Sequence, residues 1–272
     1  MKKFYLKYFI FLNYLNTLKA MIINLIFKFL KKFKPKSQLI LNLSTTINTL
    51  NNNGYAYLRN YYTESEINYL NKIVDNILNE KDEKKLKFLR FEKFNQSLKI
   101  KNVQAVYNEL KLFSKNIFFV MISFLFNFKI SSNTFILNLT NYNNYNQESG
   151  FQSIKQIAGS PHIDYPNKNI LKLIIFLEDV NLENGPTAVI PNSKKDPELL
   201  NLYAHLKANP GQEDYIDIKK FLGNTKYDKI INSKTTHFIT GKKGDIVFID
   251  TANIHWATIL NKGHRKIFWV FF

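Results

Sequence analysis

The sequence predicts a mainly β fold with flanking helices, an α+β arrangement. Two runs near the end, residues 244–250 and 265–272, are rich in β-branched and aromatic residues, which is typical of strands. In the second run, alternate residues form two apolar faces, one with Ile267 and Trp269 and the other with Phe268 and Val270. Because both faces are apolar, we expect a second sheet to cover one face and helices to cover the other.

Helices are predicted ahead of these strands. Thr63 and Glu66 have the spacing of a capping box. The apolar residues that follow fall on a single helix face: Ile67, Leu70, Ile73, Val74, Ile77 and Leu78. Residues 101–128 indicate one or two further helices, whereas residues 35–53, rich in Asn, Ser and Thr, favour a connector.

The chain is predicted to divide into an N-terminal extension and one large domain. Residues 1–37 form the extension, a basic amphipathic helix, and residues 38–272 form the domain. Within the domain, residues 193–235 depart from the strand pattern. We expect them to be an insertion that acts as a lid, because insertions between strands commonly cover a binding site.

Basic residues are concentrated at the start of the chain. The net charge is +17, and residues 1–63 contain ten basic residues and no acidic one. Apolar residues in this segment follow a helical stripe: Phe4, Tyr8, Phe11, Leu15, Leu18, Ile22, Leu25 and Phe29. Either residues 1–36 contact an anionic membrane surface peripherally, or the stripe packs against the rest of the protein or a second subunit. The absence of cysteine favours a cytoplasmic location.

A candidate metal site comes from two distant segments. His162 and Asp164 are two residues apart, so an extended backbone projects both side chains to one side. His255 follows the predicted strand at residues 244–250 and is the candidate third donor. Two imidazoles and one carboxylate on one side of an ion form the facial triad of non-haem Fe(II) oxygenases, which leaves three coordination positions open.

Arg265 is the candidate anchor for a co-substrate. It shares a strand face with Ile267 and Trp269, the face expected to line a cavity. A guanidinium stays charged and offers a planar fork that matches a carboxylate. Arg265 therefore suits the distal end of a bound dicarboxylate.

Together these residues resemble the phytanoyl-CoA dioxygenase-like branch of the Fe(II)/2-oxoglutarate-dependent oxygenases, from about Gly54 to the C-terminus. Residues 54–62, 173–180 and 183–193 are also similar to segments of that family. The resemblance implies a double-stranded β-helix, a jelly-roll-like or cupin-like barrel, preceded by a helical N-terminal part.

The resemblance also implies an activity. Fe(II) would be bound by His162, Asp164 and His255, which are then the catalytic residues, and Arg265 would hold the distal carboxylate of 2-oxoglutarate. The implied reaction hydroxylates a C–H bond of a small-molecule or lipid-like substrate and releases succinate and carbon dioxide. Asp164 favours hydroxylation, because halogenating relatives carry a small residue at that position.

Two positions depart from the family pattern. Relatives often have histidine where this chain has Lys194, so an outer contact is expected to be lost there. They also often have a hydroxyl residue where this chain has Ala257. Thr258 is expected to point away, which leaves Thr187 as the candidate hydroxyl that contacts 2-oxoglutarate.

Other functions are less well supported by the sequence. A serine-hydrolase elbow and a phosphate-binding glycine loop are absent, and cysteine-based zinc motifs are excluded. A nucleic-acid partner is not expected, because Phe271 occupies the place of a second arginine found in nucleic-acid demethylating relatives. The alternative is a barrel without catalysis that acts as a basic binding or scaffold module, associated with a membrane surface. The remaining histidines, His205, His237 and His264, are expected to have no role as ligands.

Overall fold

The computed structural model describes residues 38–94, 97–110, 119, 121–123, 134–141, 160–164, 171–208, 215–233 and 235–272. The predicted extension at residues 1–37 lies outside them, so its helix, its membrane contact and its boundary stay predictions. In the described part of the chain, no helix has the length and apolar character needed to cross a membrane.

Strands form two antiparallel sheets. The strands of the described residues are β1 (Tyr55–Leu58), β2 (Arg90–Phe94), β3 (Ser97–Lys101), β4 (Thr134–Asn141), β5 (His162–Asp164), β6 (Leu171–Phe176), β7 (Thr187–Val189), β8 (Tyr215–Asp217), β9 (His237–Ile239), β10 (Ile246–Asp250), β11 (His255–Ala257) and β12 (His264–Phe271). One sheet has seven strands in the order β1-β10-β6-β12-β4-β3-β2, and the other has five in the order β8-β5-β11-β7-β9. Apart from β2 and β3, neighbours in these orders are separated by long stretches of sequence, so the site residues meet only when both sheets form.

Helices accompany the strands. Among the described residues they are α1 (Gln38–Asn53), α2 (Glu64–Leu78), α3 (Glu83–Leu86), α4 (Val103–Val106), α5 (Pro197–Ala208), α6 (Ile218–Leu222) and α7 (Asn224–Ser233). The capping box of α2 is confirmed, since the Glu66 amide donates to Thr63 Oγ1 at 3.3 Å and the Thr63 amide donates to Glu66 Oε2 at 2.7 Å. The connector predicted at residues 35–53 is wrong over α1. Buried Leu43, Ile47 and Leu50 have helical spacing there, and their packing outweighs the polar composition.

The seven-stranded sheet has an outer face toward helix α2 and an inner face toward the five-stranded sheet. On the outer face, Phe268 and Val270 of β12 belong to one buried apolar cluster with Leu70 of α2. On the inner face, Ile267 belongs to a separate cluster with Val189 of β7. The predicted mainly β fold, covered by a second sheet on one side and by helices on the other, is confirmed.

The insertion at residues 193–235 contributes to the five-stranded sheet. Its strand β8 pairs with β5, where Asp217 lies opposite His162. Ile216 and Ile230 form a buried cluster with Ile163, whose side chain lies on the opposite side of β5 from His162. The described part of the insertion thus supports the strand that carries His162. A lid stays a prediction, and residues 209–214 lie outside the described residues.

Candidate metal centre

Strand pairing brings the predicted metal ligands together. His162 of β5 and His255 of β11 lie directly opposite each other, with ring centroids 4.6 Å apart. Asp164 lies two residues further along β5 and therefore projects to the same side. One donor atom from each of the three residues lies within 4.8 Å of the other two. The structure thus assembles the trio that the sequence predicted.

Backbone carbonyls fix how the two imidazoles are protonated. Nδ1 of His162 lies 2.8 Å from the Ser160 carbonyl oxygen, and Nδ1 of His255 lies 3.0 Å from that of Asn253. Because a carbonyl only accepts, each Nδ1 donates and each Nε2 carries a lone pair. The Nε2 atoms lie 3.4 and 3.2 Å from the carboxylate oxygens of Asp164. Two imidazole lone pairs and a carboxylate that converge in this way are the donors that a divalent metal ion binds, so this donor set fits such an ion.

The charge state of the trio also suits a metal. Burial alone would raise the pKa of Asp164, but the ammonium of Lys172, followed by His255, holds this pKa well below its usual value. Burial lowers the pKa of His255. The centre therefore presents a carboxylate and a neutral imidazole, the protonation states that metal binding requires.

Lys172 is a buried neighbour of the trio that the sequence reasoning missed. Its Nζ lies 2.7 Å from Asp164 Oδ2 and 3.4 Å from His255 Nε2, and the residue is only 6% exposed. The available signal was a lysine near the start of a fully buried strand, β6, whose other residues are apolar. The alternation of β6 places Lys172 on the inner face, where it meets the trio from the opposite sheet.

Arg265 occupies a separate buried position on the inner face. Its guanidinium donates to the Gly185 carbonyl and to the side-chain oxygens of Asn138 and Thr140, the last two at 3.3 Å. Its Nε is buried and has no hydrogen-bond partner among the described residues. Burial lowers the pKa of Arg265 to about 10, so the group is still charged at neutral pH. An unsatisfied, charged donor of this kind fits the carboxylate of a bound co-substrate.

Gly185 is required by the backbone geometry beside Arg265. It has a φ of +66°, and a Cβ there would lie 2.9 Å from the Thr258 carbonyl oxygen. A side chain would therefore strain the turn whose carbonyl accepts from Arg265.

Thr187 lies between Ala257 and Ile239 in the five-stranded sheet and is buried. Thr258 is occupied elsewhere, since its hydroxyl donates to the Pro186 carbonyl at 2.6 Å. This agrees with the expectation that Thr258 does not serve the site. Contact of Thr187 with a co-substrate stays a prediction.

The expected loss of a contact at Lys194 is wrong. The Lys194 ammonium forms an ion pair with the buried carboxylate of Asp250, and its amide donates to Asn253 Oδ1 at 3.2 Å. The lysine therefore holds the turn between β10 and β11, which leads to His255. A long cationic side chain reaches an acceptor that the sequence alone did not identify.

Solved structures resemble this fold. The epimerase SnoN, crystallised with Fe3+, alpha ketoglutarate and nogalamycin RO, has a TM-score of 0.58 at 14% identity, over 85% of this chain and 83% of that one. EctD from S. alaskensis, with 2-oxoglutarate and 5-hydroxyectoine, has a TM-score of 0.56 at 13% identity, over 84% and 74%. AviO1 from Streptomyces viridochromogenes Tue57 has a TM-score of 0.51 at 13% identity, over 84% and 93%. These similarities confirm the predicted double-stranded β-helix.

The sequence profile of the phytanoyl-CoA dioxygenase family matches residues 50–266, most of the chain. No curated protein sequence matches this chain significantly. The match spans the strands that carry the trio, and the trio has the donors that an iron site needs. The chain therefore belongs to the phytanoyl-CoA dioxygenase family and is an iron- and 2-oxoglutarate-dependent dioxygenase.

Proposed function

We propose that this dioxygenase hydroxylates a C–H bond of a small-molecule or lipid-like substrate, with release of succinate and carbon dioxide. His162, Asp164 and His255 bind Fe(II), and Arg265 binds the distal carboxylate of 2-oxoglutarate, with the Thr187 hydroxyl as a further contact. The observation that supports this assignment most strongly is the trio of donor atoms within 4.8 Å of one another.

The residues of the chain position the reactants. The carbonyls that hold His162 and His255 keep each Nε2 directed at the ion, so iron binds without a change of tautomer. Asn138 and Thr140 hold the Arg265 guanidinium in one orientation, which fixes the keto acid relative to the ion. Iron and 2-oxoglutarate together activate dioxygen for oxidation, and the buried inner face limits access of water.

Asp164 supports hydroxylation as the outcome. Together with the two imidazoles, the Asp164 carboxylate would hold the ion from one side and leave room on the other side for the keto acid and dioxygen. A halide would need the place that Asp164 occupies. The close contact of Asp164 with Lys172 keeps that carboxylate ionised, which is the state in which it can bind the ion.

Spectroscopy under nitrogen tests the iron assignment. Purified protein is mixed with Fe(II) and 2-oxoglutarate, and the metal-to-ligand charge-transfer band is recorded before oxygen is admitted and succinate measured. We expect both signals in the wild-type protein and neither in His162→Ala. His264→Ala is the matched control, because His264 is exposed and pairs with Glu178 outside the trio. A His162→Ala protein that still forms the band would contradict the assignment.

Membrane contact by the N-terminal segment has its own test. We infer that residues 1–37 form a separate basic extension, that residues 193–235 act as a lid, and that residues 1–36 contact anionic membranes from the cytoplasmic side. Full-length protein and a variant that starts at residue 38 are sedimented with phosphatidylserine and phosphatidylcholine liposomes. The proposal expects the anionic liposomes to retain only the full-length protein; equal partitioning would exclude membrane contact by this segment.

A further inference from the structure

Lys172 presents an electrostatic problem once iron is bound. A buried ammonium is costly unless it has an anionic or hydrogen-bonding partner. Among the described residues, its polar contacts are Asp164 Oδ2 at 2.7 Å and His255 Nε2 at 3.4 Å. Both partners belong to the proposed iron site, so the ion and Lys172 compete for the same two groups.

Charges in the loaded site can be matched pair by pair. The two charges of Fe(II) are balanced by Asp164 and by the keto-acid carboxylate next to the ion. Arg265 is balanced by the distal carboxylate. Lys172 then remains as a buried positive charge beside a divalent ion, and the arrangement favours the entry of one more anion.

The surroundings of Lys172 are suited to an amphipathic anion. Its Nζ lies 5.0 Å from the centroid of the Trp269 ring and 5.2 Å from that of Phe271. Nε1 of Trp269 is buried and finds no acceptor among the described residues. An ammonium and an indole N–H are therefore two donors on one aromatic wall.

A second lysine increases the positive potential of this wall. Lys99 Nζ lies 5.1 Å from the Trp269 ring centroid. It belongs to β3, which lies on the opposite side of β12 from β6, the strand that carries Lys172. Burial, followed by the charge of Lys172, lowers the pKa of Lys99 to about 8. Lys99 is thus still largely protonated at neutral pH, and its charge adds to that of Lys172.

We propose that Lys172 and the Trp269 indole form a subsite for a carboxylate carried by the primary substrate, which makes that substrate an amphipathic carboxylic acid. Both donors lie on one wall and can donate to a carboxylate, and the rings of Trp269 and Phe271 beside the ammonium provide an apolar surface for the carbon next to it. This inference rests on the proposed function, because iron must take over Asp164 before Lys172 is available. Held in this way, the acid would present its carbon chain to the iron.

Octanoate and octanamide are the probes that test the subsite. Both are titrated calorimetrically into the anaerobic Fe(II)·2-oxoglutarate complex, whose charge-transfer band is followed in parallel. We expect octanoate to bind about 10- to 100-fold more tightly than octanamide, the range of a charge-assisted hydrogen bond, while the band is retained. Lys172→Met should abolish this preference and leave octanamide binding unchanged, and Lys172→Arg should keep most of it.

Three results would overturn the subsite. Equal binding of the acid and the amide by the wild-type protein shows that charge is not recognised. Loss of the band on addition of octanoate shows binding at the keto-acid position instead. A Lys172→Met protein whose Fe(II) affinity falls as much as its octanoate affinity shows that Lys172 only positions Asp164.

Trp269→Phe provides a second variant that keeps the ring and removes the indole N–H. We expect it to weaken octanoate binding about 2- to 10-fold, with iron and 2-oxoglutarate affinities unchanged. Unchanged octanoate affinity would remove the indole from the subsite. Failure of the proposed function is distinguishable, because the charge-transfer band would then be missing from the wild-type protein before any probe is added.

Discussion

The two faces of the seven-stranded sheet share strands but differ in what they bury. On the outer face, β12 contributes Phe268 and Val270 to an apolar core with helix α2. On the inner face, β6 and β12 bury charged residues, Lys172 and Arg265, next to apolar ones. The difference shows that alternate residues of one strand can serve stability and chemistry separately, because the period of two directs them to opposite sides.

The largest expected effect is on the outer face. Phe268 is fully buried and packs edge-to-face against Phe135, with ring centroids 6.0 Å apart. Phe268→Ala should lower the free energy of unfolding by about 3–5 kcal/mol, because it leaves a cavity that the strands cannot close. Denaturant unfolding of the iron-free protein measures this. A loss of stability as small as that of Phe88→Ala, an exposed substitution, would contradict the assignment of the outer face to the stabilising core.

Arg265→Met should affect the binding of 2-oxoglutarate more than the stability of the fold. The substitution removes a buried charge and keeps much of the length of the side chain, but it also leaves the acceptors of Gly185, Asn138 and Thr140 without their guanidinium donor. The free energy of unfolding should therefore fall, but by less than in Phe268→Ala. The affinity for 2-oxoglutarate should fall by about 2–5 kcal/mol, which is the usual effect of removing one partner from a buried charge pair. Titration of the charge-transfer band measures affinity, with Arg265→Lys as the control that keeps the charge. Parallel losses of stability and affinity would show that the faces are not separable.

A smaller effect is expected at the start of α2, on the outer side. Thr63→Ala removes the capping box and should lower the free energy of unfolding by about 1 kcal/mol. Because α2 packs on the outer face and contributes no residue to the trio, the charge-transfer band and its dependence on 2-oxoglutarate should be unchanged. Thr63→Ser, which keeps the hydroxyl, should unfold like the wild type.

An effect of similar size, on binding and not on stability, is expected on the opposite sheet. Thr187→Val keeps the shape of the side chain and removes its hydroxyl. If that hydroxyl contacts 2-oxoglutarate, affinity should fall by about 0.5–1.5 kcal/mol, the net value of one hydrogen bond. Thr258→Val is the matched control, since its hydroxyl donates to Pro186. Equal 2-oxoglutarate affinity of Thr187→Val and wild type would remove Thr187 from the site.

Local patterns account for what the sequence predicted. Strand alternation placed Ile267 and Phe268 on opposite faces, and the two-residue spacing placed His162 and Asp164 on the same side of β5. These inferences needed only the repeat of a strand. The capping box at Thr63 was equally local.

Long-range pairing accounts for what the sequence did not predict. Lys172 meets Asp164 only because β6 and β5 belong to sheets that face each other, and a single lysine in an apolar run does not reveal that. The ion pair of Lys194 with Asp250 and the pairing of β8 with β5 depend on the same assembly. The sequence did not predict helix α1, because the Asn, Ser and Thr residues of residues 35–53 mask the helical spacing of the three apolar residues that become buried.

The positions of the tryptophans have a practical consequence. The chain contains two, and Trp269 lies beside Lys172 on the inner face whereas Trp256 adjoins His255 in the sequence. Indole emission is quenched by a nearby transition metal, so unlabelled protein should report its own metal uptake by a loss of fluorescence. Replacing Trp256 with phenylalanine would leave a single intrinsic probe beside the iron.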